Sequence, residues 1–148
     1  MLTRVQATER ILAAKKEKGL TFEAIAKAVG QHKVWTTSAL MGQATMSAEE
    51  ARKAVAVLGL GPDVAASLQE MPSKGSVGRD VPVDPLIYRF YEIVQVYGTT
   101  LKAIIHEMFG DGIMSAIDFE LDVQKKEDPK GDRVIVTMNG KFLPYKKW

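Results

Sequence analysis

A chain of 148 residues has room for one substantial domain or two small ones, and 46% apolar with 26% charged residues is the balance of an ordinary globular protein. The absence of cysteine excludes disulfides, thiolate metal sites and a cysteine nucleophile. A net charge of +2, with neither half polybasic, does not by itself imply a nucleic-acid partner, and no window nears the roughly 18 apolar residues of a membrane span.

The opening residues, Met1 to Gln6, lack the long apolar run of a signal peptide, so a cytoplasmic protein is expected. Residues 6–18 predict a helix with Ile11 and Leu12 on one face. Lys15, Lys16 and Lys18 gather at its end, where unpaired carbonyls favour cations, and Gly19 stops it. Thr21 is the expected N-cap of a second helix that carries Ile25, Ala26 and Val29 and closes at Gly30. Gln31 to Met41 forms a third helix. Ser47-Ala48-Glu49-Glu50 is a capping-box pattern that opens a fourth through Leu58, and Asp63 to Gln69 forms a fifth.

Residues 20–41 thus read as helix, glycine turn, helix, the layout of a helix-turn-helix. Two readings fit: DNA recognition through the second helix, or a small helical bundle that touches no DNA. That second helix carries one lysine, Lys33, and no arginine, whereas phosphate contacts need several cations.

The chain changes character at Met71. Residues 71–79 show no period and read as a linker or extended arm, which divides the chain into a helical domain, 1–71, and a second domain, 72–148. In the second domain, Asp84-Pro85 fits a helix start, with the aspartate as cap and proline in the first position. Leu86, Phe90, Ile93, Val94 and Tyr97 recur at helical spacing. Gly98 interrupts, and Leu101, Ile104, Ile105 and Met108 resume the stripe, giving a helix pair or one helix broken at the glycine.

The tail reads as β. Ile117, Phe119, Leu121 and Val123 alternate with polar residues, the period of a half-buried strand. Residues 125–132 form a charged loop, and Arg133 to Met138 a second strand. Asn139-Gly140 is a hairpin signal, with Lys141 to Tyr145 returning as a third strand. Three short strands bury little alone, so oligomerisation through this half is expected.

Candidate chemistry is sparse. Arg89 and Glu92 are helix neighbours at the flank of the apolar stripe, and spacing alone reads them as a solvated ion pair worth a few tenths of a kcal/mol. Residues 110–117 place Ser115 after Gly110 and Gly112, which suits either close approach to an anion or an ordinary turn. His32 and His106 form no metal-ligand cluster, and His106 reads as a surface or packing residue. There is no phosphate loop and no nucleophile elbow.

Several unusual words do occur in one order. They are Tyr88-Arg89-Phe90-Tyr91-Glu92, the run from Gln95 to Ala103, His106-Glu107, Phe109 to Ile113, Ser115-Ala116-Ile117 and Asn139 to Pro144. Together they resemble the cyanase (cyanate lyase) family, closely from about Pro72 onward and more loosely before it. The resemblance implies an α+β fold: a helix-turn-helix-like bundle not used on DNA, then a strand-and-helix domain that interlocks two chains. It implies a homodecamer of five dimers with active sites at dimer–dimer boundaries. It implies decomposition of cyanate to carbamate, then ammonia, and carbon dioxide, with bicarbonate as co-substrate, for detoxification and nitrogen use. The catalytic positions it implies are Arg89, Glu92 and Ser115, with no metal or organic cofactor and no nucleic-acid or membrane partner. The chain departs from some family members in having no cysteine, and its first stretch is short.

Overall fold

Side-chain caps decide where the first helices begin. Thr3 accepts from Gln6 N while the Gln6 side chain accepts from Thr3 N, opening α1 (Arg4–Glu17). Thr21 accepts from Ala24 N and opens α2 (Phe22–Val29), which ends on Gly30 at φ +85°, a left-handed conformation that glycine adopts without steric cost. α3 spans Lys33–Leu40, narrower than expected at both ends. Ser47 and Glu50 form the expected reciprocal box at the start of α4 (Ala48–Leu58), and α5 is Pro62–Gln69. The hydrogen bond from Ser47 N holds the Glu50 carboxyl below its ordinary range. The computed structural model describes residues 2–72 and 81–148, and divides the chain into two units, Met1–Ser76 and Val77–Trp148. Of the linker expected at 71–79, residues 73–79 lie outside the described residues.

In the first unit, α1 to α5 share one core in which Ile11, Ile25, Leu40, Leu58, Val64 and Leu68 are fully buried. Each comes from the apolar stripe of its own helix. Arg4 joins the elements from the side. Its guanidinium donates to Ser67 O at 2.6 Å, Ala44 O at 2.7 Å and Ala39 O at 3.0 Å. One planar fork therefore serves carbonyls at the ends of α3 and α5 and in the loop after α3. Burial lowers the Arg4 pKa, opposed by the charge of Glu70.

The second unit is built from α6 (Pro85–Phe109), β1 (Gly112–Lys126) and β2 (Arg133–Pro144). Asp84 caps α6, with Oδ1 accepting from Leu86 N and Ile87 N at 2.9 Å each. The predicted break at Gly98 does not occur: α6 is one continuous helix. A single interior glycine costs about 1 kcal/mol relative to alanine, which a helix of this length absorbs.

The predicted third strand and the hairpin at Asn139-Gly140 are also corrected. Among the described residues the tail has two strands, paired antiparallel, and β2 runs straight through Asn139 and Gly140. The reversal lies in the charged loop at 127–132, where Asp128 accepts from Lys130 N and Gly131 takes φ +119°. Gly140 serves another purpose. A Cβ there would collide with Ser115 O and the Met114 side chain, so the glycine permits a close strand approach rather than a turn.

α6 buries no residue. Leu86 and Met108 are each 69% exposed and Val94 is 60% exposed, while Phe90, Ile93, Leu101 and Ile104 are about half exposed. The periodic stripe that predicted the helix therefore lacks cover within its own unit. The unit as a whole, α6 with one strand pair, makes the chain α+β.

Candidate active site

Arg89 lies in the second turn of α6, one helical turn from Glu92. Its Nη1 donates to Glu92 Oε2 at 2.5 Å, and its guanidinium carbon lies 5.7 Å from the centroid of the Tyr88 ring. The side chains are 61% and 44% exposed, as their flank position on the wheel predicts. With Nη1 engaged by the carboxylate, the other nitrogens of the guanidinium remain as donors for an anion. Tyr91 stands next to the pair, its ring centroid 6.0 Å from that of Tyr88.

Ser115 sits elsewhere in the unit. The β1–β2 register runs Gly112↔Pro144, Ile113↔Leu143, Met114↔Phe142, and resumes at Phe119↔Gly140. Residues 115–118 of β1 thus oppose Lys141 alone, forming an enlarged bulge. Ser115 opens it and is buried. Its Oγ accepts from Ile117 N at 3.1 Å and Asp118 N at 2.9 Å. The sequence pattern read 110–117 as either a close approach to an anion or an ordinary turn before a strand alternating from Ile117; β1 instead begins at Gly112, and the bulge arises from pairing with β2, which no local signal carries.

Within the chain, Arg89 is joined to Glu92, and no contact among the described residues joins Ser115 to either. The hydrogen bonds of Ser115 stay within the bulge. Arg89 lies roughly 30 Å along the helix axis from Phe109, at 1.5 Å per residue. Near that far end a cleft of about 440 Å³ is lined by Leu101, Lys102, His106, Ile113 and Tyr145, among others. His106, read from the sequence as a surface or packing residue, packs at this junction, its Nε2 3.2 Å from Gly112 O. Tyr145 N donates to Asp111 O at 3.1 Å, and the Phe109 and Phe142 rings stack at 5.1 Å. These contacts tie the end of α6 to the start of β1 and the end of β2. Neither spacing nor periodicity singled out this junction. Among the described residues no group of three or more His, Asp or Glu side chains is placed to hold a metal ion. No helix among them is long and apolar enough to cross a membrane.

The family model described as Cyanate hydratase, N-terminal, matches residues 4–72, and that described as Cyanate lyase C-terminal domain matches residues 79–147. The chain belongs to the cyanate hydratase family. The cyanate hydratase of Synechococcus sp. (strain CC9311) is 63% identical over 141 residues, covering 95% of this chain and 94% of that protein. The cyanate hydratase of Marinomonas sp. (strain MWYL1) is 58% identical, covering 99% of this chain and all of that one. The fold is similar to a crystal structure of cyanase from T. urticae, with a TM-score of 0.84 and 45% identity, covering 93% of this chain and 96% of that one. Family membership places the chain among enzymes, and the matches span both its units.

Proposed function

We propose that this chain decomposes cyanate in a bicarbonate-dependent reaction, in active sites completed where copies of the chain meet. The observation that carries the substrate is kinship with cyanate hydratases over nearly the whole chain. Support for a shared site comes from the second unit: Arg89 and Glu92 stand on a helix with no buried residue, and Ser115 lies off that helix. An apolar helix face and a two-stranded sheet both need further cover, and a second copy supplies both. The proposed assembly is a decamer of five interlocked dimers. The bundle of α1 to α5 is then a helical support rather than a DNA reader. The rival reading as a DNA-binding regulator is not favoured, since α3 carries Lys33 as its single cation and both family models belong to an enzyme.

The chemistry follows from charge. Cyanate has an electrophilic carbon, and a bicarbonate oxygen is the nucleophile, but both are anions and repel in water. Arg89 supplies a fixed cation whose fork matches a carboxylate-like oxygen pair. Ser115 donates its hydroxyl proton to an anion oxygen. Glu92 orients Arg89 through the Nη1 bond and is also in place to pass a proton. Attack forms a C–O bond and gives a mixed anhydride, with the bicarbonate proton moving to the cyanate nitrogen. Cleavage of the C–O bond on the bicarbonate side of the bridging oxygen releases carbon dioxide. The remaining fragment takes up one proton to become carbamate, which with a second proton falls to ammonia and carbon dioxide. Alignment of the two reactants supplies up to roughly 7–11 kcal/mol in favourable cases. The proposal includes no metal or organic cofactor, a cytoplasmic location, and roles in cyanate detoxification and nitrogen supply.

The test is ammonia release from cyanate by the purified chain, with and without added bicarbonate. Release that requires bicarbonate and is lost in Arg89→Ala supports the proposal. Release independent of bicarbonate removes the nucleophile proposed here, and no release from a folded oligomer removes the reaction.

A further inference from the structure

The bulge at residues 115–118 has the features of a device for aiming one proton. A serine hydroxyl carries one donor proton and two acceptor lone pairs. Ile117 N and Asp118 N both donate to Ser115 Oγ, at 3.1 and 2.9 Å, so its acceptor capacity is used inside the bulge. What remains is the O–H proton, which can then only donate outward. The two incoming N–H groups also draw electron density from the oxygen and strengthen that donor. The bulge closes on β2 at Gly140. A Cβ on that residue would collide with Ser115 O and come within 2.5 Å of Met114 Cγ. The first of these is backbone of the bulge itself and cannot turn aside as a flexible side chain does. Across the mouth, Lys141 Nζ lies 3.7 Å from Asp118 Oδ2 as an exposed brace.

We infer that the bulge, seated on Gly140, fixes Ser115 as an obligate hydrogen-bond donor to the reacting anion, and that Gly140 is a positioning residue acting only through Ser115. This rests on the role given to Ser115 above. It also explains why Asn139-Gly140 carries a turn-like residue in the middle of a straight strand. The glycine answers to the opposite strand and not to its own backbone conformation, since its φ is not positive.

The experiment is a double-mutant cycle on the full chain: Ser115→Ala, Gly140→Ala and the pair, read as kcat and KM for cyanate at saturating bicarbonate. Thermal melting and oligomer size are measured alongside. A displacement near 1 Å of a reacting group costs on the order of a hundredfold in rate. Gly140→Ala should therefore lower kcat by tenfold or more in a protein that still assembles, and should cost nothing further in the Ser115→Ala background. Losses that multiply in the double variant, or wild-type kcat in Gly140→Ala, overturn the inference. Should Gly140→Ala fail to fold, Asp118→Pro removes one N–H donor to Ser115 Oγ and is compared with Asp118→Ala, so that loss of the Lys141 brace cancels. A tenfold lower kcat in the proline variant supports the device, and equal kcat in the two overturns it. If Ser115→Ala itself turns over normally, the role of Ser115 fails first, and separately.

Discussion

Replacing Arg89 by lysine keeps the charge and removes the fork. In the structure Arg89 divides its donors, with Nη1 bound to Glu92 Oε2 at 2.5 Å and the remaining nitrogens left for an anion. A lysine ammonium is a single point with a flexible stem, and it can face the carboxylate or the anion but cannot span both along fixed directions. The variant therefore loses about one charge-assisted hydrogen bond in the transition state, worth roughly 1.5–3 kcal/mol. At 1.36 kcal/mol per decade that is a fall of roughly 10- to 160-fold in kcat/KM. Stability should barely move, because an exposed ion pair contributes at most about 1 kcal/mol, and Arg89 and Glu92 are both well exposed. Ammonia release at varied cyanate and fixed bicarbonate measures the first effect, and a thermal melt of the same sample measures the second. Turnover of Arg89→Lys within threefold of the parent would refute the clamp. So would a loss of activity that merely tracks a loss of folded protein.

Glu92→Gln keeps size but not charge, and should be severely impaired; unchanged ammonia release at every pH would remove Glu92 from the mechanism. Arg4→Lys should destabilise the first unit by about 2–4 kcal/mol, since an ammonium cannot serve three diverging carbonyls and leaves some of them unpaired. Denaturant unfolding checks this, and a midpoint equal to the parent's contradicts it. The Glu50 carboxyl is held below its unfolded value of about 4.3, first by the hydrogen bond from Ser47 N, so its capping contribution is full above that pH. It is lost as pH falls through the depressed folded value. Glu50→Gln, which keeps an acceptor without the charge, should shed that part of the acid dependence in circular dichroism; a coincident acid limb would show that the box is not a charged one. Finally, the melting temperature of the parent should rise with protein concentration, because the uncovered face of α6 gains stability only from a partner copy. A concentration-independent melt at the size of a monomer would exclude this.

Much of the first unit was legible because helix boundaries are written locally. Thr21, Ser47 with Glu50, and the glycine at 30 each act on backbone groups within a few residues. The same locality led the tail astray. Asn139-Gly140 matches a hairpin by residue type, but whether a strand turns there depends on what lies opposite, and Ser115 and Met114 lie more than twenty residues away in the chain. Gly98 likewise signals a break, but a helix as long as α6 absorbs the cost of one interior glycine. Arg89 and Glu92 could be paired by counting along a helix, whereas the contact of His106 with Gly112 O follows from the reversal of the chain after Gly110.

By itself the sequence determined the α+β composition, the five small helices and the caps of two of them, the apolar stripe of the long helix, and the ordered words that point to cyanase. Each is carried by residue type and spacing over a turn or two. Tertiary structure alone decided that the tail is one long strand pair, that Ser115 heads a bulge with its lone pairs occupied, and that α6 keeps its stripe uncovered within its unit. The physical reason is that strand register and burial are properties of pairs of distant segments. Their energies depend on which surfaces meet, and no window of the sequence contains both.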